Sequence, residues 1–106
     1  MKFGIVIYSN DSETVWNAFR LANFALKEEN EVKVFLIGKG VEAESLDSSQ
    51  FRITDQMKEF VSNRGKIYAC GTCLKIRQAE ATELCPVSTM SDLYAIVREC
   101  EKVISF

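Results

Sequence analysis

A chain of 106 residues that is 47% apolar and 26% charged is long enough for one folded domain and too apolar to remain disordered. Its net charge of −2 offers no general attraction to nucleic acid or to an anionic membrane. The absence of histidine excludes Ser-His-Asp and Cys-His pairs, HExxH zinc chemistry and any imidazole base. Catalysis, if any, falls to cysteine, carboxylates, Lys, Arg or Tyr.

In chain order, Phe3 to Tyr8 is a short, nearly continuous apolar run rich in β-branched residues and reads as a buried strand. It starts like a secretory signal, but Ser9-Asn10-Asp11-Ser12-Glu13 follows before an apolar segment of useful length has formed. No run approaches the ~18–20 residues that span a bilayer, so the chain is expected to be cytoplasmic, without a membrane partner. Asn10 is expected to cap the first helix, with Glu13 at capping-box spacing; Val15, Phe19, Ala22 and Leu26 then recur at helical spacing. Val32 to Ile37 predicts a second strand, closed by Gly38-Lys39-Gly40. That tripeptide lacks the GxxxxGK[ST] phosphate-loop pattern and reads as a plain turn.

Val41 to Arg52 is polar and predicts a loop with at most a helical turn, its Glu42, Glu44 and Asp47 solvated. Thr54 to Asn63 predicts a helix burying Met57, Phe60 and Val61, stopped by Gly65. Lys66 to Cys70 is a third strand, Cys73 to Ala81 a short helix, and Cys85 to Ser88 a brief fourth strand. Ser91 is expected to cap a last helix with Leu93, Ile96, Val97 and Cys100 on one side, before a fifth strand over Val103 to Phe106. Apolar strands alternating with amphipathic helices predict a single three-layer α/β/α sandwich over residues 1–106, its five-stranded sheet mainly parallel.

The chain has four cysteines, which in a reducing compartment are buried, metal-bound or reactive rather than disulfide-paired. Cys70 is predicted at the carboxyl end of a parallel strand, the edge where open α/β sheets place their ligand sites. A helix starting near Gly71 or Thr72 would aim unpaired N–H groups at its sulfur, Lys75 and Arg77 would add positive charge, and Gly71 would leave it sterically open. Such surroundings lower a thiol's pKa. The competing reading is a small apolar core residue, the commonest fate of a free cysteine. Cys73, one turn later, either resolves a disulfide or persulfide on Cys70 or simply packs its helix. Cys85 and Cys100 read as structural, and they stand too far apart in sequence to supply a second CxxC zinc knuckle. No cofactor and no metal are expected. A thioredoxin-type dithiol places its CxxC after an early strand, whereas this one follows the third, with Gly71-Thr72 between the thiols.

Beginning at Gly4-Ile5-Val6-Ile7-Tyr8, running through Val32 to Val41 and ending at Cys100 to Phe106, the chain resembles the DsrE/DsrF-like family, including the TusD-type sulfur-relay subunits. The most specific stretch is the apolar strand ending in Cys70 with basic residues a few positions on. The resemblance implies an α/β/α sandwich, a homo- or hetero-oligomer, and sulfur transfer between donor and acceptor proteins. In relay members that look like this, the cysteine matching Cys70 carries a persulfide, and Arg77 falls on one of the family's basic positions. Relay members usually have two adjacent arginines and a glycine where this chain has Ile76-Arg77-Gln78. The function expected is therefore a persulfide carrier or sulfurtransferase. Its rivals are a non-catalytic small-molecule or protein-binding module with structural cysteines, and a CxxC dithiol oxidoreductase. Two features stay open: Trp16, off the helical stripe, is an oligomer contact or the edge of the core, and Ser9-Asn10-Asp11 either lines the Cys70 pocket or only caps a helix.

Overall fold

The computed structural model describes residues 1–106. Five strands form one sheet: β1 (Lys2–Ile7), β2 (Glu31–Leu36), β3 (Lys66–Cys70), β4 (Val87–Ser88) and β5 (Lys102–Ser105). Every pairing is parallel, in the order β4-β3-β2-β1-β5. The helices are α1 (Ser12–Lys27), α2 (Ile53–Ser62), α3 (Gly71–Ile76) and α4 (Met90–Glu99). A 3-10 segment over Gly38–Ser45 takes in the expected Gly38-Lys39-Gly40 turn and the first residues of the 41–52 stretch, longer than the single helical turn allowed for there.

Strand residues alternate between the two faces, as the pleat requires. Ile5, Ile7, Val32, Val34, Leu36, Ile67 and Ala69 share one core with Val15, Ala18, Phe19 and Ala22 of α1 and with Ile53, Met57 and Phe60 of α2. The rings of Phe19 and Phe60 meet edge-on, 6.1 Å apart, and lock those helices together. The opposite face buries less. Phe35, Cys70 and Ile96 form a small cluster there, bordered by Tyr68, Leu93 and Cys100. Ile96 is the one buried residue of α4; Val97, expected on its inner side, is exposed together with Tyr94. On α2, Val61 is likewise exposed.

Boundary corrections have local causes. Asp11, not Asn10, caps α1, because its carboxylate accepts both the Thr14 N–H and the Thr14 hydroxyl at 2.9 Å. Asn10 turns away and donates to Glu42 at 3.3 Å. Thr89 rather than Ser91 caps α4, with Asp92 accepting the Thr89 N–H at 3.2 Å. α3 ends at Ile76, well short of Ala81; Gln78, just past its end, has a φ of 53°. Trp16 belongs to the edge of the core, half-buried, 5.3 Å from the Phe51 ring and beneath the Arg20 guanidinium at 4.5 Å. No helix is long and apolar enough to cross a membrane.

Candidate functional site

Because all strands point one way, the ends of β2, β3 and β4 open on the same edge of the sheet. There α3 leaves β3 toward the α1–α2 face, where Leu74 joins the larger core, while α4 leaves β4 toward the opposite face. Adjacent strands whose connections diverge in this way leave a crevice between them. In this chain it is a cleft of about 710 Å³, bounded by Ile37 after β2, by Cys70 to Lys75, and by Val87 to Met90.

Cys70 is the last residue of β3 and the N-cap of α3. Its side chain points away from the larger core and packs on Phe35 and Ile96, so the residue is only 4% exposed. It nevertheless forms part of the cleft wall. The expected aiming of helix N–H groups at its sulfur does not occur: Cys70 makes no side-chain cap hydrogen bond. Gly71 also has a different purpose from leaving the sulfur open. A Cβ there would come within 3.0 Å of Val87 Cγ2 and 3.2 Å of the Ser88 carbonyl oxygen, so the glycine lets β4 close against the start of α3.

Cys73 lies one turn on, half-buried and lining the same cleft. The backbone N–H of Gly38 donates to its Sγ at 3.2 Å, from a turn in which Gly38 has a φ of 57°. Burial pushes the Cys73 thiol up, and so do its hydrogen bond to Cys70 and any charge on that sulfur; the Gly38 N–H and Arg77 pull weakly the other way. Cys73 is thus harder to deprotonate than an ordinary thiol.

Lys75 is exposed and borders the cleft. Arg77 is tied elsewhere. Its Nε donates to Glu42 Oε2 at 2.8 Å and its Nη1 to the Cys73 carbonyl at 3.1 Å, which corrects the expectation that it would serve the Cys70 sulfur. Arg77, foremost, with Asn10 holds the Glu42 carboxyl below the usual range. Glu42 is therefore a strut, and its neighbours behave alike. Glu44 accepts the Thr82 hydroxyl at 2.5 Å, and Asp47 accepts from Thr54 and pairs with Arg52 at 3.6 Å. Glu42 and Glu44 thus pin the 3-10 segment and Asp47 ties the loop after it to the start of α2, so none is merely solvated. Ser9, Asn10 and Asp11 do not line the cleft.

Cys85 is buried in the larger core, where burial and the nearby Glu44 push its thiol up. Cys100 caps the end of α4, half-buried, its thiol also raised chiefly by burial. The four cysteines thus form one pair and two separate thiols. Sequence reasoning missed Gly38 as a hydrogen-bond donor to the site and Ser88 to Met90 as its far wall. The parallel order would have found both, since each follows a strand at the same sheet edge.

A family model for DsrE/DsrF-like proteins matches residues 1–106. The chain belongs to the DsrE/DsrF-like family. Among its relatives is the uncharacterised protein MJ0989 of Methanocaldococcus jannaschii, 29% identical over 114 aligned residues and covering the whole of both chains. Another is the uncharacterised protein MK0008 of Methanopyrus kandleri, 31% identical over 100 residues, covering 89% of this chain and 83% of that one. The fold is that of the YchN protein from E. coli, whose crystal structure superposes with a TM-score of 0.82 over 100% of both chains at 20% identity.

Proposed function

We propose that this DsrE/DsrF-like chain is a sulfur-transfer protein in which Cys70 carries the sulfur as a persulfide. The observation that carries this reading is Cys70 in the wall of the sheet-edge cleft, beside a second free cysteine, Cys73, that lines the same cleft. The Cys70 thiolate attacks the sulfane sulfur of a donor persulfide, and the donor thiolate leaves. The outer sulfur of the resulting Cys70 persulfide is then attacked by the thiolate of an acceptor protein, which regenerates Cys70 with no net oxidation. In place of imidazole, the Cys73 S–H donates to the charged sulfur and Lys75 supplies the cation at the cleft mouth. Arg77 acts as a positioning residue, holding α3 to the 3-10 segment through Glu42.

Incubation with a sulfane donor followed by peptide mass mapping tests the proposal. Cys70 is expected to gain one sulfur atom, and Cys70→Ser to gain none at any position. An unmodified Cys70 in folded, unblocked protein would sink it. The burial of Cys70 favours the rival reading of a binding module with structural thiols. That reading requires all four thiols to alkylate slowly in the native protein, and Cys70→Ser to change stability alone.

A further inference from the structure

Three features meet at the cleft beyond what a simple carrier needs. Two thiols stand at i, i+3 on the first turn of a helix, the spacing that faces both sulfurs the same way. The second is not left to rotate freely, because the Gly38 N–H holds its Sγ at 3.2 Å. Cys85 belongs to the larger core, and Cys100, which borders the Cys70 cluster from the end of α4, does not line the cleft, so Cys73 is the cysteine that shares the cleft with the first.

We infer that Cys73 gives the site a second outcome: when no acceptor arrives, it displaces the carried sulfur as hydrosulfide and closes a Cys70–Cys73 disulfide. The inference rests on the reading of Cys70 as the persulfide carrier and adds sulfide release to it. The Cys73 thiol first loses its proton to solvent. Its thiolate then attacks the inner sulfur, which is Cys70 Sγ itself; a bond forms between the two cysteine sulfurs and the bond to the outer sulfur breaks. The outer sulfur leaves with that electron pair as hydrosulfide. The sulfane sulfur gains two electrons and the two cysteines lose them, so no other oxidant is involved. A dithiol reductant of the cell returns the disulfide to two thiols.

The Gly38 N–H favours this step twice, by fixing the direction of Cys73 Sγ and by stabilising negative charge on it. Serine retains an acceptor for that N–H, which makes Cys73→Ser a mild replacement; Cys73→Ala provides a second variant should serine disturb the turn. The intact protein is treated anaerobically with sodium tetrasulfide, desalted, and followed by intact mass and sulfide detection.

The wild type is expected to pass from one sulfur heavier to two hydrogens lighter than the reduced chain, releasing one equivalent of sulfide. Cys73→Ser and Cys73→Ala are expected to keep the Cys70 persulfide at least roughly tenfold longer and release none. A wild-type persulfide as long-lived as that of the variants overturns the inference and leaves the carrier reading intact. A disulfide to Cys85 or Cys100 also overturns it. Failure of every form to take up sulfur at Cys70 removes both.

Discussion

The Cys73 thiol is raised by burial first and by Cys70 second, and only the second cause can be removed without opening the cleft. At neutral pH Cys73 therefore presents less thiolate than an ordinary cysteine, and its alkylation rate should climb only as pH rises past the usual thiol range of about 8.5–9. In Cys70→Ala the midpoint of that climb should fall, because the neighbouring sulfur that accepts the Cys73 proton is gone, yet stay above the ordinary value, because burial remains. Arg77→Gln should move it the other way by removing a favourable charge. Mass-resolved alkylation against pH reads all three, and a midpoint unchanged by Cys70→Ala would show that the two sulfurs do not interact. At this scale the sequence was only half readable. A cysteine after an apolar strand marks a sheet-edge position, but what a side chain accepts depends on partners far away in sequence. Arg77 looked available until Glu42, 35 residues earlier, was found holding it.

Among the elements, α4 matters most for access to Cys70. It rests on the sheet through Ile96, which touches the same cluster as Cys70 and Phe35. Ile96→Ala should cost about 2–5 kcal/mol and loosen this helix selectively. Phe60→Ala, on the opposite face, should cost a comparable ~3–5 kcal/mol. Cys70 alkylation under native conditions is expected to quicken markedly in the first variant and little in the second, with denaturant melts confirming similar stability losses. Equal acceleration would mean that Cys70 is reached through global unfolding. Existence and order of the elements were legible, because apolar runs of strand length alternate with stripes such as Val15, Phe19 and Ala22. The ends were less so. Asp11 and Asn10 are both good caps by type, and only the Thr14 geometry decides between them. The acidic 38–45 segment hid its helical turns because its apolar content is low, and what holds it, the burial of Gly40 and Ala43 and the ties of Glu42 and Glu44, involves residues far away in sequence.

For the molecule as a whole, the two faces of the sheet are unequal. One is covered by α1 and α2, the other by α4 with Tyr94 and Val97 left in solvent. Apolar side chains grouped on one helix favour burial against a second copy, and we expect self-association through this face. Light scattering across a dilution series should give a multiple of the chain mass, and Tyr94→Glu with Val97→Lys should shift it to the monomer while leaving the fold intact by circular dichroism. A monomeric wild type at every concentration would overturn the expectation. The α/β class and the parallel sheet were foreseeable from the alternation of elements. The imbalance between the faces was not, because it depends on α4 being turned so that Ile96 is buried with Leu93 half-buried beside it, while Val97 faces out.

The position of β1 between β2 and β5 has a cost in time. It pairs with β2 on one side and on the other with β5, joining Phe3 to Lys102 and Val6 to Ser105. Closing so long a loop is entropically expensive and is repaid only when the final ladder zips, so chains dominated by distant pairings fold in roughly milliseconds to seconds. A nascent chain emerging from the ribosome can assemble the β1–β2 unit early, but must leave the other flank of β1 bare until β5 has emerged. That interval, more than any moment in the finished molecule, is when it is most exposed to aggregation.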